Sequence, residues 1–162
     1  MNMLELQKRI YENGKLYLFL LRLCTLFSLL VALSFLATLI CFFIQEEYQT
    51  LISVALFFSV GFILVSLTRK IIKANRPYEI YSFYVKKPRS KISDSFPSRH
   101  CYSAFAIATL TLPVSIYFSL AVFVLSFAIA VIRVFLGFHF IRDVVCGALI
   151  GALCGSVSLI LL

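Results

Sequence analysis

The chain has 162 residues, of which 62% are hydrophobic, with a mean hydropathy of +1.01 and a net charge of +8 from fifteen Lys and Arg against seven Asp and Glu. A soluble domain is usually about 45–50% apolar, so the composition excludes a water-soluble globular domain and points to an integral membrane protein. The length allows one domain over residues 1–162, with about five spans of roughly 20 residues each.

The opening segment, MNMLELQKRIYENGK, is mixed polar, and no cleavable signal pattern is visible, because the first apolar run is too long for one. Met3, Leu6 and Ile10 recur at helical spacing beside Lys8, Arg9 and Lys15. This predicts a short helix lying on the membrane surface and ending near Asn13-Gly14. Residues 16–44 read as the first span, with Arg22 placed to snorkel toward the headgroups. The acidic turn QEEYQT follows, then a second span over residues 51–68.

The stretch from Arg69 to Arg99 is the most polar in the chain and holds nine of the fifteen basic residues. Behind it, residues 101–132 contain no charge. As a single helix this run would be about 48 Å long, well beyond a hydrocarbon core of ~30 Å. Pro113 near its middle predicts a hairpin of two tight spans instead, residues 99–114 and 116–137. Residues 143–162 form the last span, with Gly147, Gly151 and Gly155 at four-residue spacing, a pattern that permits close helix packing within the bundle or between chains. The five cysteines lie in or beside apolar runs without a CxxC pair, and read as small apolar fillers. The predicted architecture is an all-α integral membrane bundle of about five transmembrane helices plus the interfacial helix.

Membrane spans exclude ionisable groups unless those groups act. Near the span ends stand Arg69, Lys73, Arg76, Arg99, His100, Arg133, His139, Arg142 and Asp143, including both histidines of the chain. Arg69, Lys73 and Arg76 are spaced to share one helical face, ended by Pro77. His139 and Asp143 are spaced as helical neighbours, and a carboxylate beside a histidine fixes its tautomer. The hairpin brings the segments around Arg76, Arg99 and Arg133 to the same side of the membrane, where a single crossing would separate them. Arginines gathered without matching acids suit an anion with many oxygens, typically phosphate. Two histidines beside it suggest a nucleophile and a general acid. A divalent metal is disfavoured by so many cations.

These pieces, RKIIKANRP (69–77), PSRH (97–100) and IRVFLGFHFIRD (132–143), resemble in order and spacing the motifs of the type 2 phosphatidic acid phosphatase superfamily, the lipid phosphate phosphatases, in its bacterial membrane-bound branch. The family pattern is K-x6-R-P, P-S-G-H and S-R-x5-H-x3-D. Three positions depart from it: Arg69 replaces a lysine, Arg99 a glycine and Ile132 a serine. The family bundle commonly has six spans where five are counted here. The resemblance implies that His139 attacks phosphorus, oriented by Asp143, and that His100 protonates the leaving oxygen and then activates water. It implies that Arg69, Arg76 and Arg133 hold the phosphate with help from Ser98, and Lys73 and Arg99 are placed nearby as additional cations. It implies a lipid bearing a phosphate or pyrophosphate headgroup as substrate, the bilayer as surroundings, no metal or other cofactor, and no nucleic acid.

In this topology every Lys and Arg falls on the side of the site, while the opposite side carries Glu46 and Glu47. The positive-inside rule then places the N-terminus and the site at the cytoplasmic face of the cell membrane. An inward site favours phosphatidylglycerophosphate or phosphatidic acid; an outward one favours undecaprenyl pyrophosphate. The basic loop from Ile80 to Phe96 is expected to shape headgroup choice. A non-catalytic lipid-phosphate-binding protein is the alternative, and a phosphate transporter is disfavoured by the lack of an inverted repeat.

Overall fold

The computed structural model describes residues 3–81 and 94–161. Among them are seven helices and no strand: α1 (Met3–Glu12), α2 (Gly14–Ile44), α3 (Tyr48–Ile72), α4 (Pro77–Ile80), α5 (Arg99–Leu110), α6 (Ile116–Phe135) and α7 (Ile141–Ile160). Four of them, α2, α3, α6 and α7, are long and apolar enough to cross a membrane. Their outward faces carry Leu29, Leu33, Ile52, Leu56, Phe127 and Leu153, all exposed, which suits contact with lipid.

The hairpin forms as its length requires, but unequally. Residues 111–114 make the turn around Pro113, and α5 has only 12 residues, about 18 Å of helix. It is the innermost helix of the bundle, packed against α2, α3, α6 and α7. Cys101, Tyr102, Ala106, Ala108 and Leu110 have no exposed surface. Small residues let the neighbours close on it. A Cβ on Gly151 of α7 would meet the Tyr102 carbonyl and, at 2.9 Å, the Ala106 amide; one on Gly155 would meet Thr109 Cβ at 2.7 Å. The glycine stripe therefore serves packing inside the chain. Serine hydroxyls add ties that a lipid environment favours: Ser126 Oγ donates to the Ala104 carbonyl at 2.9 Å and Ser119 Oγ to that of Ala108 at 2.6 Å.

α1 forms where its spacing predicts, and Asn13 separates it from α2, accepting from the Leu16 amide at 3.1 Å. Its inner face is not purely apolar. Gln7 is buried beside Ile10 and donates to the Val134 carbonyl at 2.7 Å, which ties α1 to the end of α6. All five cysteines are free.

The polar stretch after α3 differs from the expected continuous face. α3 stops at Ile72, and Lys73 adopts a left-handed conformation with φ 47°. The chain is extended by Arg76, because a residue before proline is driven out of the helical region. Arg69, Lys73 and Arg76 therefore do not share a helical face. Lys73 is exposed, and its amide donates to the Arg69 carbonyl at 3.0 Å. Most of the loop between Ile80 and Phe96, expected to shape headgroup choice, lies outside the described residues.

Candidate active site

Three helix starts, of α4, α5 and α7, and two helix ends, of α3 and α6, build the site. At the end of α6 the chain reverses through a Schellman motif, in which Gly137, with φ 68°, donates to the Val134 carbonyl and Phe138 to that of Arg133. The glycine makes this turn accessible. It leaves Arg133 on the last turn of α6 and swings His139 back into the bundle, where it is only 2% exposed. At the start of α7, Asp143 is the third helical residue, and its Oδ2 accepts from the Phe140 amide at 3.0 Å. This is the returning half of a capping box, and it fixes the carboxylate. Glu79 does the same at α4, where its Oε2 accepts from the Arg76 amide at 2.9 Å.

The segment 94–98 runs between these elements and is held on both sides. The Ser95 amide donates to the Ala74 carbonyl at 2.9 Å, and the Ser98 amide to that of Asp143 at 2.9 Å. Arg69, buried on the last turn of α3, donates to the carbonyls of Pro97, at 2.8 Å, and Asp94. Arg76 Nη2 donates to the same Asp94 carbonyl at 3.3 Å. Arg69 thus braces this segment with two of its donors.

His139 and Asp143 are brought together, but not in direct hydrogen-bond contact. His139 Nδ1 lies 3.8 Å from Asp143 Oδ2, beyond hydrogen-bond range. Ser95 stands between them, fully buried; its hydroxyl donates to Asp143 Oδ2 and lies 3.4 Å from His139 Nδ1. Ser95 lies outside the three motifs, and one of the two serines in DSFPSRH carries no signal that singles it out. This grouping occupies the Nδ1 edge of the imidazole and leaves Nε2 as the nitrogen available for chemistry. Arg142, exposed on the outer side, places Nε 3.5 Å from Asp143 Oδ1.

The arginines surround this pair. Arg133 sits over the Phe138 ring at 5.8 Å and Arg76 over Tyr78 at 5.7 Å. The charges of Arg133, Arg76 and Arg69 all act on His139, and those of Arg133, Arg99 and Arg69 on His100, which begins α5 with Arg99. Burial pushes His139 down to about 4; the nearby Asp143 opposes this, and the three arginines reinforce it. The imidazole is therefore neutral at ordinary pH. Three buried donors, Arg76 Nε, Arg133 Nε and Ser98 Oγ, have no acceptor among the described residues. Such donors cost roughly 1–3 kcal/mol each unless an acceptor reaches them, and a phosphoryl group offers three oxygens. Arg99 and His100 are exposed at the edge of this cluster. Among the described residues, no three His, Cys, Asp or Glu side chains gather as a metal site would require.

The PAP2 superfamily model matches residues 51–162. The crystal structure of LpxE from Aquifex aeolicus resembles this one with a TM-score of 0.69 and 28% sequence identity, over 96% of this chain and 93% of that chain. The crystal structure of the transmembrane PAP2-type phosphatidylglycerolphosphate phosphatase from Bacillus subtilis has a TM-score of 0.69 and 20% identity, over 96% of this chain and 83% of that one, a likeness of fold. No curated protein matches the sequence.

Proposed function

Because the chain belongs to the PAP2 superfamily, the lipid phosphatases that hydrolyse phosphoric esters, we propose that it removes phosphate from a membrane lipid through a phosphohistidine on His139, without a metal. The observation that carries this reading is the buried imidazole whose Nδ1 faces Ser95 and Asp143 while three arginine charges act on it.

In this mechanism Arg69, Arg76 and Arg133 hold the phosphoryl oxygens and stabilise charge in the transition state. His139 Nε2 attacks phosphorus, and the bond to the leaving oxygen breaks as His100 gives that oxygen a proton. Asp143, through Ser95, balances the charge that appears on the His139 ring. Water then attacks the phosphohistidine and gives its proton to His100, and phosphate leaves. Ser98 and its unpartnered hydroxyl assist the oxygens.

The substrate is a lipid phosphate monoester or pyrophosphate, with phosphatidylglycerophosphate or phosphatidic acid favoured by a site on the cytoplasmic face of the cell membrane. The side assignment rests on charge: the turn from α2 to α3 carries Glu46 and Glu47, while Lys8, Arg9, Arg69, Arg76, Arg99 and Arg133 stand at the opposite helix ends. The test is phosphate release from these lipids by the detergent-purified protein with excess EDTA, beside His139→Ala. The reading expects release that survives EDTA and disappears in the variant. Release that stops with EDTA argues against it.

A further inference from the structure

Arg99 stands where the family pattern has glycine. It differs from the other arginines of the cluster. Arg69 and Arg76 are buried and bonded to the segment 94–97. Arg99 is exposed, and among the described residues its guanidinium has no hydrogen-bond or ion-pair partner. Its charge opposes that of Arg69 and acts on His100. Like charges that act on each other are destabilising unless an anion lies near both.

Arg99 and His100 also line a cavity of about 500 Å³, whose walls include Val31, Phe35, Phe58 and Ile129. Apart from Arg99, His100, Ser28 and Ser103, the lining is apolar. If His139 takes the phosphoryl group and His100 protonates the leaving oxygen, everything beyond that oxygen lies on the cavity side. The apolar walls suit a hydrocarbon chain. Arg99 then meets whatever connects the chain to the leaving oxygen.

We propose that, among the lipid phosphates and pyrophosphates admitted above, Arg99 selects those whose leaving group carries a second phosphate, and so narrows the choice away from phosphatidic acid. The proposal rests on the phosphatase reading above. In a lipid pyrophosphate the leaving group is a lipid monophosphate; in phosphatidylglycerophosphate it holds a phosphodiester one glycerol away. In phosphatidic acid it is neutral diacylglycerol and offers Arg99 nothing. The bond that breaks is the same in each case, between the transferred phosphorus and its bridging oxygen. The electron pair leaves on that oxygen, the proton comes from His100, and Arg99 pairs with the second phosphate throughout.

The experiment compares kcat/KM for undecaprenyl pyrophosphate, phosphatidylglycerophosphate and phosphatidic acid, in wild type, Arg99→Gln and Arg99→Gly. A charge-assisted contact predicts that the preference for a two-phosphate lipid over phosphatidic acid falls by about tenfold or more in both variants. The lipid whose preference falls further tells whether the second phosphate is directly bonded or one glycerol distant. An equal loss on all three lipids would mean that Arg99 holds the transferred phosphate, and would overturn the proposal; so would an unchanged ratio. Calorimetric binding of inorganic pyrophosphate and inorganic phosphate to the same proteins needs no turnover. Wild type should prefer pyrophosphate by about tenfold and Arg99→Gln should lose that preference. If no lipid is hydrolysed, the phosphatase reading fails, and this binding ratio still decides the role of Arg99.

Discussion

His139 and Asp143 face each other at 3.8 Å, and the Ser95 hydroxyl, rather than a direct bond, connects them. The carboxylate is fixed by its own helix through the Phe140 amide, and the imidazole is fixed by the Schellman turn that precedes it. Neither element moves the other. The serine on the segment 94–98 is what couples them, and that segment is braced in turn by Arg69 and by the Asp143 carbonyl.

Ser95→Ala should therefore slow phosphoryl transfer while leaving the fold intact. Loss of a hydrogen bond to a charged group corresponds to roughly 10–100-fold in kcat. The loss should fall on kcat more than on KM, and the acid limb of the pH profile should shift, because Asp143 no longer reaches the ring through a bridge. A variant that merely loosens the fold would lower the melting temperature and leave that limb in place.

The depressed His139 value has a readable sign. A histidine whose pKa lies near 4 in the folded protein, below the usual 6.5, stays neutral as pH falls through the ordinary histidine range. With an aryl phosphate, whose leaving group needs no proton from His100, phosphoenzyme formation should remain level from neutral pH down to ~pH 5 and decline only below it. A decline centred on the ordinary histidine range would place the nucleophile in a more solvated setting than the one described.

Arg76 and Arg133 each present a buried Nε without an acceptor among the described residues. Replacing either by alanine removes a donor from the developing charge and should lower kcat by about 100–1,000-fold. Arg133→Lys should recover little, since lysine cannot reproduce the planar guanidinium above Phe138. Single-turnover rates of the three variants would check this.

Gly151 tests the packing that sets α5 in place. Its Cβ would press on the Tyr102 carbonyl and the Ala106 amide, both backbone atoms that cannot step aside. Gly151→Ala should cost about 1–3 kcal/mol and lower the melting temperature in detergent. At Gly14, where a Cβ meets nothing within 4 Å, the same change should be neutral or mildly stabilising. Equal behaviour of the two variants would argue against close contact between α5 and α7.

Much of this arrangement was legible before any coordinate. Uncharged length and Pro113 predicted the hairpin, because a run of that size cannot stay in hydrocarbon as one helix. The spacing of His139 and Asp143 predicted neighbours on one helix; His139 instead lies in the turn before α7, and the two still approach to 3.8 Å. What failed was local. The regular spacing of Arg69, Lys73 and Arg76 suggested one face, but Pro77 acts backward on Arg76, so the helix ends four residues earlier than the pattern implies. Lys73 falls on that break, left-handed and exposed. Ser95 and Gln7 escaped because each works through a single long-range bond, to Asp143 and to the Val134 carbonyl. Periodicity records which face a residue occupies and holds no trace of such a partner.

The most direct measurement is to trap the covalent intermediate. His100→Ala, mixed with an aryl phosphate whose leaving group needs no proton and quenched in alkali, should accumulate phosphate on the enzyme, because attack is slowed less than the hydrolysis that follows when water has no base. Mass spectrometry of the peptides should place the phosphoryl group on His139, and none should form in His139→Ala. Phosphate found on another residue, or turnover by His139→Ala at the wild-type rate, would contradict the account.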